Sequence, residues 1–297
     1  MHYSDFLKKD RSIRERDQIH SAISAHVREH NDELWRYIRD SSSQKEYALV
    51  HKLHESGICC DFKPVQLDQK SFLKSIKKHI DHSKRVQHIQ DSIDLASIHI
   101  NFTLNEMLLR IASLYLGAPA RLQQYGLLLN ARGSSSQPTN AQRYHRDRDD
   151  YKTIELFLYL TDVGTPNGPH IYIPGTHTFS AIQKSKSLNR VIDHPLFTGS
   201  PHNFYDPASV ENLCQQHGLL PKVLVGKAGF FFLEDTGGLH RGSIPDATAI
   251  RAVYGTTWTI SKGAGFHQNG NQQCYKLRKM FSDHNLTPLQ KYSIWDS

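Results

Sequence analysis

Long apolar runs are missing from this 297-residue chain. No stretch reaches the roughly 18 apolar residues that a bilayer crossing requires, so a membrane-spanning protein is not expected. Cysteine is also scarce. Four residues (Cys59, Cys60, Cys214 and Cys274) in a chain of this length make no disulfide framework, and the adjacent pair Cys59-Cys60 lacks zinc-finger spacing. We read all four as reduced thiols. The opening stretch MHYSDFLKKDRSIRERDQ has no apolar segment of the secretory-signal kind, so the expected location is cytoplasmic. Internal repeats and long low-complexity tracts are lacking too, which argues against solenoid, collagen-like and disordered chains.

What is present is ordinary globular material, with 38% hydrophobic and 22% charged residues. The net charge of +7 favours an anionic partner without naming it. The excess is uneven. Residues 1–40 carry eight Lys/Arg against eight Asp/Glu, whereas 63–88 holds Lys63, Lys70, Lys74, Lys77, Lys78, Lys84 and Arg85 against Asp68 and Asp81. A solvated helix face explains such a run. The sharper reading is a docking surface for a phosphorylated or carboxylated substrate, including one carried on a cofactor or carrier protein.

Along the chain the texture changes once. Up to residue 120, apolar positions recur at spacings of three and four, as in Ile19, Ile23, Val27 and Leu34, Tyr37, Ile38, which predicts a helical flank. A further helix is expected over 103–117, stopped by Gly117 and Pro119. From Tyr125 onward, short apolar runs are cut by Gly, Pro and Asn, which predicts strands. In 153–163, Ile154, Leu156, Leu158 and Leu160 share one face and Phe157 and Tyr159 the other, a strand buried on both sides as in a packed double sheet. A loop of small residues, 131–142, precedes the first motif. An insertion over 178–221 contains a predicted helix near 207–217, strand resumes through 249–260, and the tail is expected to be partly helical. The expected architecture is mainly β with a helical flank (α+β). It forms a single domain over 1–297, with a flank over 1–120, a core over 121–260 and an extension over 261–297.

His145-Arg146-Asp147 has H-x-D spacing, and on an extended backbone residues two apart point to the same side. An imidazole and a carboxylate can therefore share one metal ion. A third ligand would complete the facial set of two His and one carboxylate that leaves open positions on iron(II). His240 is the candidate, because it follows the strand-like GFFFLED in the glycine-rich GGLHRGS. Arg251, eleven residues later in TAIRAVYGTTW, could run beside that turn and pair bidentately with a ligand carboxylate.

With these residues in place, YHRDRDDYKTIELFLYLTDVGTPNGPHIYIPGTH (144–177) followed by GLHRGSIPDATAIRAVYGTTW (238–258) resembles the phytanoyl-CoA dioxygenase-like 2-oxoglutarate oxygenases. The resemblance covers roughly 120–260. It implies a double-stranded β-helix (jelly-roll, cupin-like) core, with Fe(II) held by His145, Asp147 and His240. It also implies 2-oxoglutarate as cosubstrate, its distal carboxylate on Arg251 with Ser243 adding a hydrogen bond, and O₂ as oxidant. The implied reaction hydroxylates an unactivated C–H bond of a small molecule, with release of succinate and CO₂. Retention of Asp147 argues for oxygenation rather than halogenation.

Around this set, Asp149 and Asp150 are assigned to the surface or to contacts with Lys152, and Arg146 and Arg148 to salt bridges. His170 and His177 are placed in turns. Arg132 and Arg241 are the candidates for meeting an anionic or carrier-linked substrate. Two other readings stand beside this one: a catalytically inactive jelly-roll that binds an anionic partner, and a cupin-type metalloenzyme that does not use 2-oxoglutarate. Nucleic acid is disfavoured as a partner, and the oligomeric state is not legible.

Overall fold

A computed structural model describes residues 12–60, 74, 86–89, 102–131, 138, 140–147, 150–198, 204–246, 249–261, 274–275, 277–279, 281 and 285–294. Most of the basic segment 63–88 lies outside these residues, as do Arg132, Arg148 and Asp149.

The flank begins with three helices whose ends are written in their sequence. Ser12 and Glu15 form a reciprocal capping box at the start of α1 (Ile13–Glu29), and Ser43 and Glu46 do the same for α3 (Gln44–Ser56). Helix α2 (Asp32–Ser41) lies between them. Gly57 closes α3 in the left-handed region, as Gly117 closes α4 (Glu106–Leu116). The flank is not purely helical. It contributes β1 (Ile58–Cys59) and β2 (Val86–Ile89), which occupy the two edges of the large sheet.

That sheet has six strands in the order β1-β7-β4-β9-β3-β2, with β3 spanning Arg121–Ala131, β4 Ile154–Tyr159, β7 Phe231–Glu234 and β9 Ile250–Thr259. A small sheet, β6-β5-β8, is built from β5 (His170–Tyr172), β6 (Lys222–Leu224) and β8 (His240–Gly242). Among the described residues all the strand pairings are antiparallel. Together the two sheets form the expected jelly-roll. The insertion is helical, with α5 (Phe179–Lys184), α6 (Lys186–Asn189), α7 (Pro195–Thr198) and α8 (Pro207–His217), and the tail supplies α9 (Pro288–Ile294).

Alternation along β4 divides the core as its sequence implies. Ile154, Leu156 and Leu158 join Leu108, Ile111, Tyr115 and Trp258 in the layer between the large sheet and the helices. Phe157 and Tyr159 face the other way, into a second cluster with Phe232, Val253 and Tyr172 between the sheets. Each fully buried leucine contributes about 1.5–3 kcal/mol. The helix layer thus holds the large sheet rigid, and its inner face is left free to carry a site.

Candidate active site

Strand β8 and an isolated antiparallel bridge beside it place the histidines. His145 N donates to His240 O at 3.0 Å and His240 N returns a bond to His145 O at 3.1 Å, the reciprocal pairing of directly opposed antiparallel residues. Opposed side chains share one face, so both imidazoles project together. Asp147, two residues on, falls on the same side. Its N–H is tied to Thr236 O at 2.9 Å.

The result is a compact set of donors. His145 Nε2 stands 3.6 Å from Asp147 Oδ1, and His240 Nε2 3.8 Å from Asp147 Oδ2. The ligand atoms of all three residues lie within 4.8 Å of one another. Adjacent ligands on an octahedral ion at metal–ligand bonds of ~2.1 Å would be roughly 3 Å apart, so each imidazole needs to close on the Asp147 carboxylate by less than about 1 Å. The second nitrogens are already engaged, His145 Nδ1 with Arg143 O at 2.8 Å and His240 Nδ1 with Gly238 O at 2.9 Å. Those carbonyls can only accept, which puts the protons on Nδ1 and the lone pairs on Nε2, toward Asp147. Burial pushes His240 down to about 3, so it is the neutral imidazole that a metal requires. The donor set fits a divalent transition metal.

Arginines fasten the backbone behind these ligands. Arg146 is buried and donates to the carbonyls of Thr176, Gly237 and Leu196, joining the ligand segment to the turn before His240. The expected salt bridge is absent among the described residues, because alternation turns Arg146 into a pocket of carbonyls. Arg16 of α1 donates to Asp150 O at 2.6 Å and to Asp147 O at 3.4 Å. Asp150 is likewise not a surface residue. It is buried and accepts from Ser261 Oγ at 2.5 Å, while Lys152 sits over the Tyr115 ring and donates to Tyr115 O at 3.1 Å.

Between the sheets, beside the histidines, lie three more buried polar groups. Arg251 projects from β9 with Nη2 over Gly242, where a Cβ would approach to 2.9 Å. Its Nε and Nη1 have no hydrogen-bond partner among the described residues. Burial lowers its pKa, with Tyr159 opposing that shift. The expected placement is corrected in one respect: β9 belongs to the large sheet and β8 to the small one, so Arg251 faces the ligand strand across the interior rather than running beside it.

His170 is not in a turn. It begins β5, its ring stacks at 5.4 Å on that of His240, and its Nε2 lies 2.8 Å from Glu234 Oε2. Glu234 is fully buried, and burial pushes its carboxyl up to about 8. His170 is held well below the usual range by burial and then by Arg251.

The remaining candidates fare differently. Ser243 follows β8, its N–H bonded to Pro169 O at 2.9 Å. Arg241 alternates away from the interior, lies over the Tyr144 ring and is bonded to Glu211 Oε1 at 2.7 Å, so an acidic partner already holds it. His177 is buried beyond the small sheet, within reach of His54 and Lys152, away from the ligand cluster. Sequence reasoning passed over Glu234. The signal available was a carboxylate ending the otherwise apolar strand GFFFLE.

Beside Phe157, whose ring contacts those of His170 and Phe232, the inner face opens into a cavity of about 220 Å³ lined by Gly126, Leu128, Glu155, Val253, Gly255 and Thr257, among others. Gly126 and Gly255 are directly opposed on β3 and β9, and the space exists because neither has a side chain.

No family model and no curated protein matches the chain. Among solved structures it is similar to AviO1 from Streptomyces viridochromogenes Tue57, at 16% identity over 75% of this chain and 98% of that one, with a TM-score of 0.48. It is also similar to SnoN, a non-haem α-ketoglutarate-dependent epimerase from nogalamycin biosynthesis (10% identity, 76% and 88% covered, TM-score 0.48). A third is EctD from S. alaskensis with 2-oxoglutarate and 5-hydroxyectoine (16% identity, 73% and 76% covered, TM-score 0.46). Likenesses this distant transfer no chemistry, and the site is argued from its own geometry.

Proposed function

We propose that the chain is an Fe(II)- and 2-oxoglutarate-dependent oxygenase that hydroxylates an unactivated C–H bond of a small molecule, releasing succinate and CO₂. The observation that carries this reading is the convergence of His145, Asp147 and His240 on one face, with a buried arginine, two of its nitrogens without a hydrogen-bond partner among the described residues, across the same interior. Iron(II) bound there would supply O₂ activation coupled to decarboxylation of the oxo acid. The protein's own residues do the rest.

Three ligands on one side leave the opposite side of an ion for an oxo acid and O₂. Arg251 offers unpaired Nε–H and Nη1–H donors, on two edges of a planar guanidinium, that a ligand carboxylate in the interior could meet. Leaving those donors unpaired in a dry interior costs about 1–3 kcal/mol, which a bound carboxylate would remove. Phe157, Phe232 and Val253 line the interior with apolar surface and exclude water from a reaction that passes through strong oxidants. The glycine-floored cavity beside Phe157 gives room for a small substrate. The net charge of +7 supports an anionic or carrier-linked one. A cytoplasmic setting agrees with the four free cysteines, and no helix among the described residues is long and apolar enough to cross a membrane.

The test is anaerobic addition of Fe(II) and then 2-oxoglutarate, followed by O₂ with succinate measured. A visible charge-transfer band in the ternary complex and succinate formation are expected. His145→Ala or Asp147→Ala abolishes both. Arg251→Ala leaves metal binding intact and raises the 2-oxoglutarate concentration required by about ten- to a hundredfold, the loss of a charge-assisted pair. Metal binding with no 2-oxoglutarate dependence would favour the cupin-type alternative, and no metal binding the inactive jelly-roll.

A further inference from the structure

Glu234 and His170 are buried polar residues of the interior that the four-residue set does not use. Phe231, Phe232 and Leu233 precede Glu234 on β7, all buried, and the carboxylate itself is fully enclosed. A buried carboxylate costs several kcal/mol unless it is paired, and an apolar residue would serve the packing better. Its surroundings show what it meets. From the large sheet it approaches two imidazoles on two strands of the small one, with Oε2 2.8 Å from His170 Nε2 and Oε1 3.7 Å from His240 Nδ1, close electrostatic contacts in which neither oxygen completes a hydrogen bond among the described residues. Those two rings stack on each other at 5.4 Å and 23°. His170 is packed in turn against Phe157 and Phe232. The Nδ1–H of His240 is given to the Gly238 carbonyl at 2.9 Å, and the Glu234 carboxyl stands 3.7 Å from the same nitrogen, an electrostatic rather than a hydrogen-bonding neighbour.

We infer that Glu234 is a positioning residue: together with His170 it forms a carboxylate–imidazole couple that ties the two sheets together behind His240 and holds that ring with Nε2 aimed at the metal. The inference rests on the metal reading above. A carboxylate behind a ligating histidine fixes its tautomer and orientation and strengthens it as a donor, and removal of such partners weakens metal binding by about ten- to a hundredfold. His170 completes the couple by filling the space between the carboxylate and the aromatic wall, so that Glu234 cannot swing away from His240.

The experiment uses the full chain and Co(II) alone as probe, with affinity from titration calorimetry and geometry from the visible absorption of the bound ion. Glu234→Leu should bind Co(II) about ten- to a hundredfold more weakly than the unaltered protein, with a changed absorption envelope. Its metal-free melting temperature should not fall, because a buried polar group without a completed hydrogen bond has been replaced by apolar volume. Glu234→Gln, which keeps one acceptor oxygen in the same shape, should lie between the two in affinity. Equal affinity and an unchanged spectrum in Glu234→Leu overturn the inference while leaving the metal centre intact. A loss of metal-free stability that accounts for the whole fall in affinity also overturns it, since the role would then be structural. Absence of Co(II) uptake by the unaltered protein overturns both the centre and the couple.

Discussion

The site is assembled by individual residues with little tolerance. Gly238 shows how little. Its carbonyl accepts from His240 Nδ1, and a Cβ there would overlap the hydroxyl of Tyr172. An overlap with the end of a side chain is often relieved by movement, but Tyr172 is fully buried, donates to Asp235 O at 3.1 Å and is confined on its other side by Gly57. Gly57 has a φ of 77°, a conformation that itself selects glycine. Overpacking of this kind costs about 1–3 kcal/mol. Gly238→Ala should therefore lower the melting temperature by several degrees, about 2–4 °C per kcal/mol for a chain of this size class. The double variant Gly238→Ala/Tyr172→Phe should not recover the loss, because Tyr172 Cζ and Cε2 would still overlap the added Cβ, Cε2 at 2.7 Å. Calorimetric scans of the three proteins check this, and an unchanged melting temperature in Gly238→Ala would show that Tyr172 has room to move after all.

At the scale of elements, α1 acts as a splint. Arg16 holds the backbone of the ligand segment, while His20 and Arg28 bond to Leu116 O at 2.8 Å and Gly117 O at 2.9 Å, the end of α4. The periodicity of α1 was legible, as was the stop of α4. Its partners were not, because Arg16 and the carbonyl of Asp150 are separated by 134 positions and a bond to backbone leaves no mark in residue types. The edge strands were hidden for another reason: β1 is two residues long and too short to show a period, although Ile58 and Cys59 pair with Glu234 and Leu233.

His20 gives this splint a pH signature. Burial, then the cations Lys152 and Arg16, hold it down to about 3 against an ordinary value of 6.5. Between those values the unfolded chain takes up a proton that the folded chain refuses, so stability falls as pH drops below 6.5, by up to about 1.4 kcal/mol per unit. His20→Gln can keep the N–H donor to Leu116 O without titrating. Relative to the unaltered protein, the variant should gain about 2 kcal/mol in urea unfolding between pH 7.5 and pH 4.5. A difference independent of pH would mean that His20 charges in the folded state.

Over the whole molecule, two sheets meet along an interior whose far side is anchored by helices and whose near side carries His145, Asp147 and His240. The two-residue offset of His145 and Asp147 was legible because a strand's period is two, and the strand pattern from residue 125 onward was enough to expect a double sheet. What linear pattern could not convey was which sheet each residue joins. Arg251 stands across the interior from β8, and His170 lies in a strand rather than in the turn that its Gly-Pro neighbours suggest.

The same topology predicts how metal and stability are linked. His145 and Asp147 lie on a segment joined to the small sheet by one reciprocal pair with His240, and to the turn before it by Asp147 N and Arg146. An ion shared by the three ligands would close this connection, and it would bind only the folded chain, since the ligands are dispersed over 96 positions when unfolded. Binding to the native state alone stabilises by about 2.7 kcal/mol at a hundredfold excess over Kd. A melting-temperature rise of about 5–10 °C on adding Co(II) or Mn(II) to the chelator-stripped protein is therefore expected. Asp147→Ala should abolish the rise while melting close to the stripped unaltered protein, because Asp147 is partly exposed and its backbone N–H bond to Thr236 survives the substitution. An equal rise in that variant would place the bound ion elsewhere, with His26, Glu29 and His30 on the exposed face of α1 as the alternative cluster.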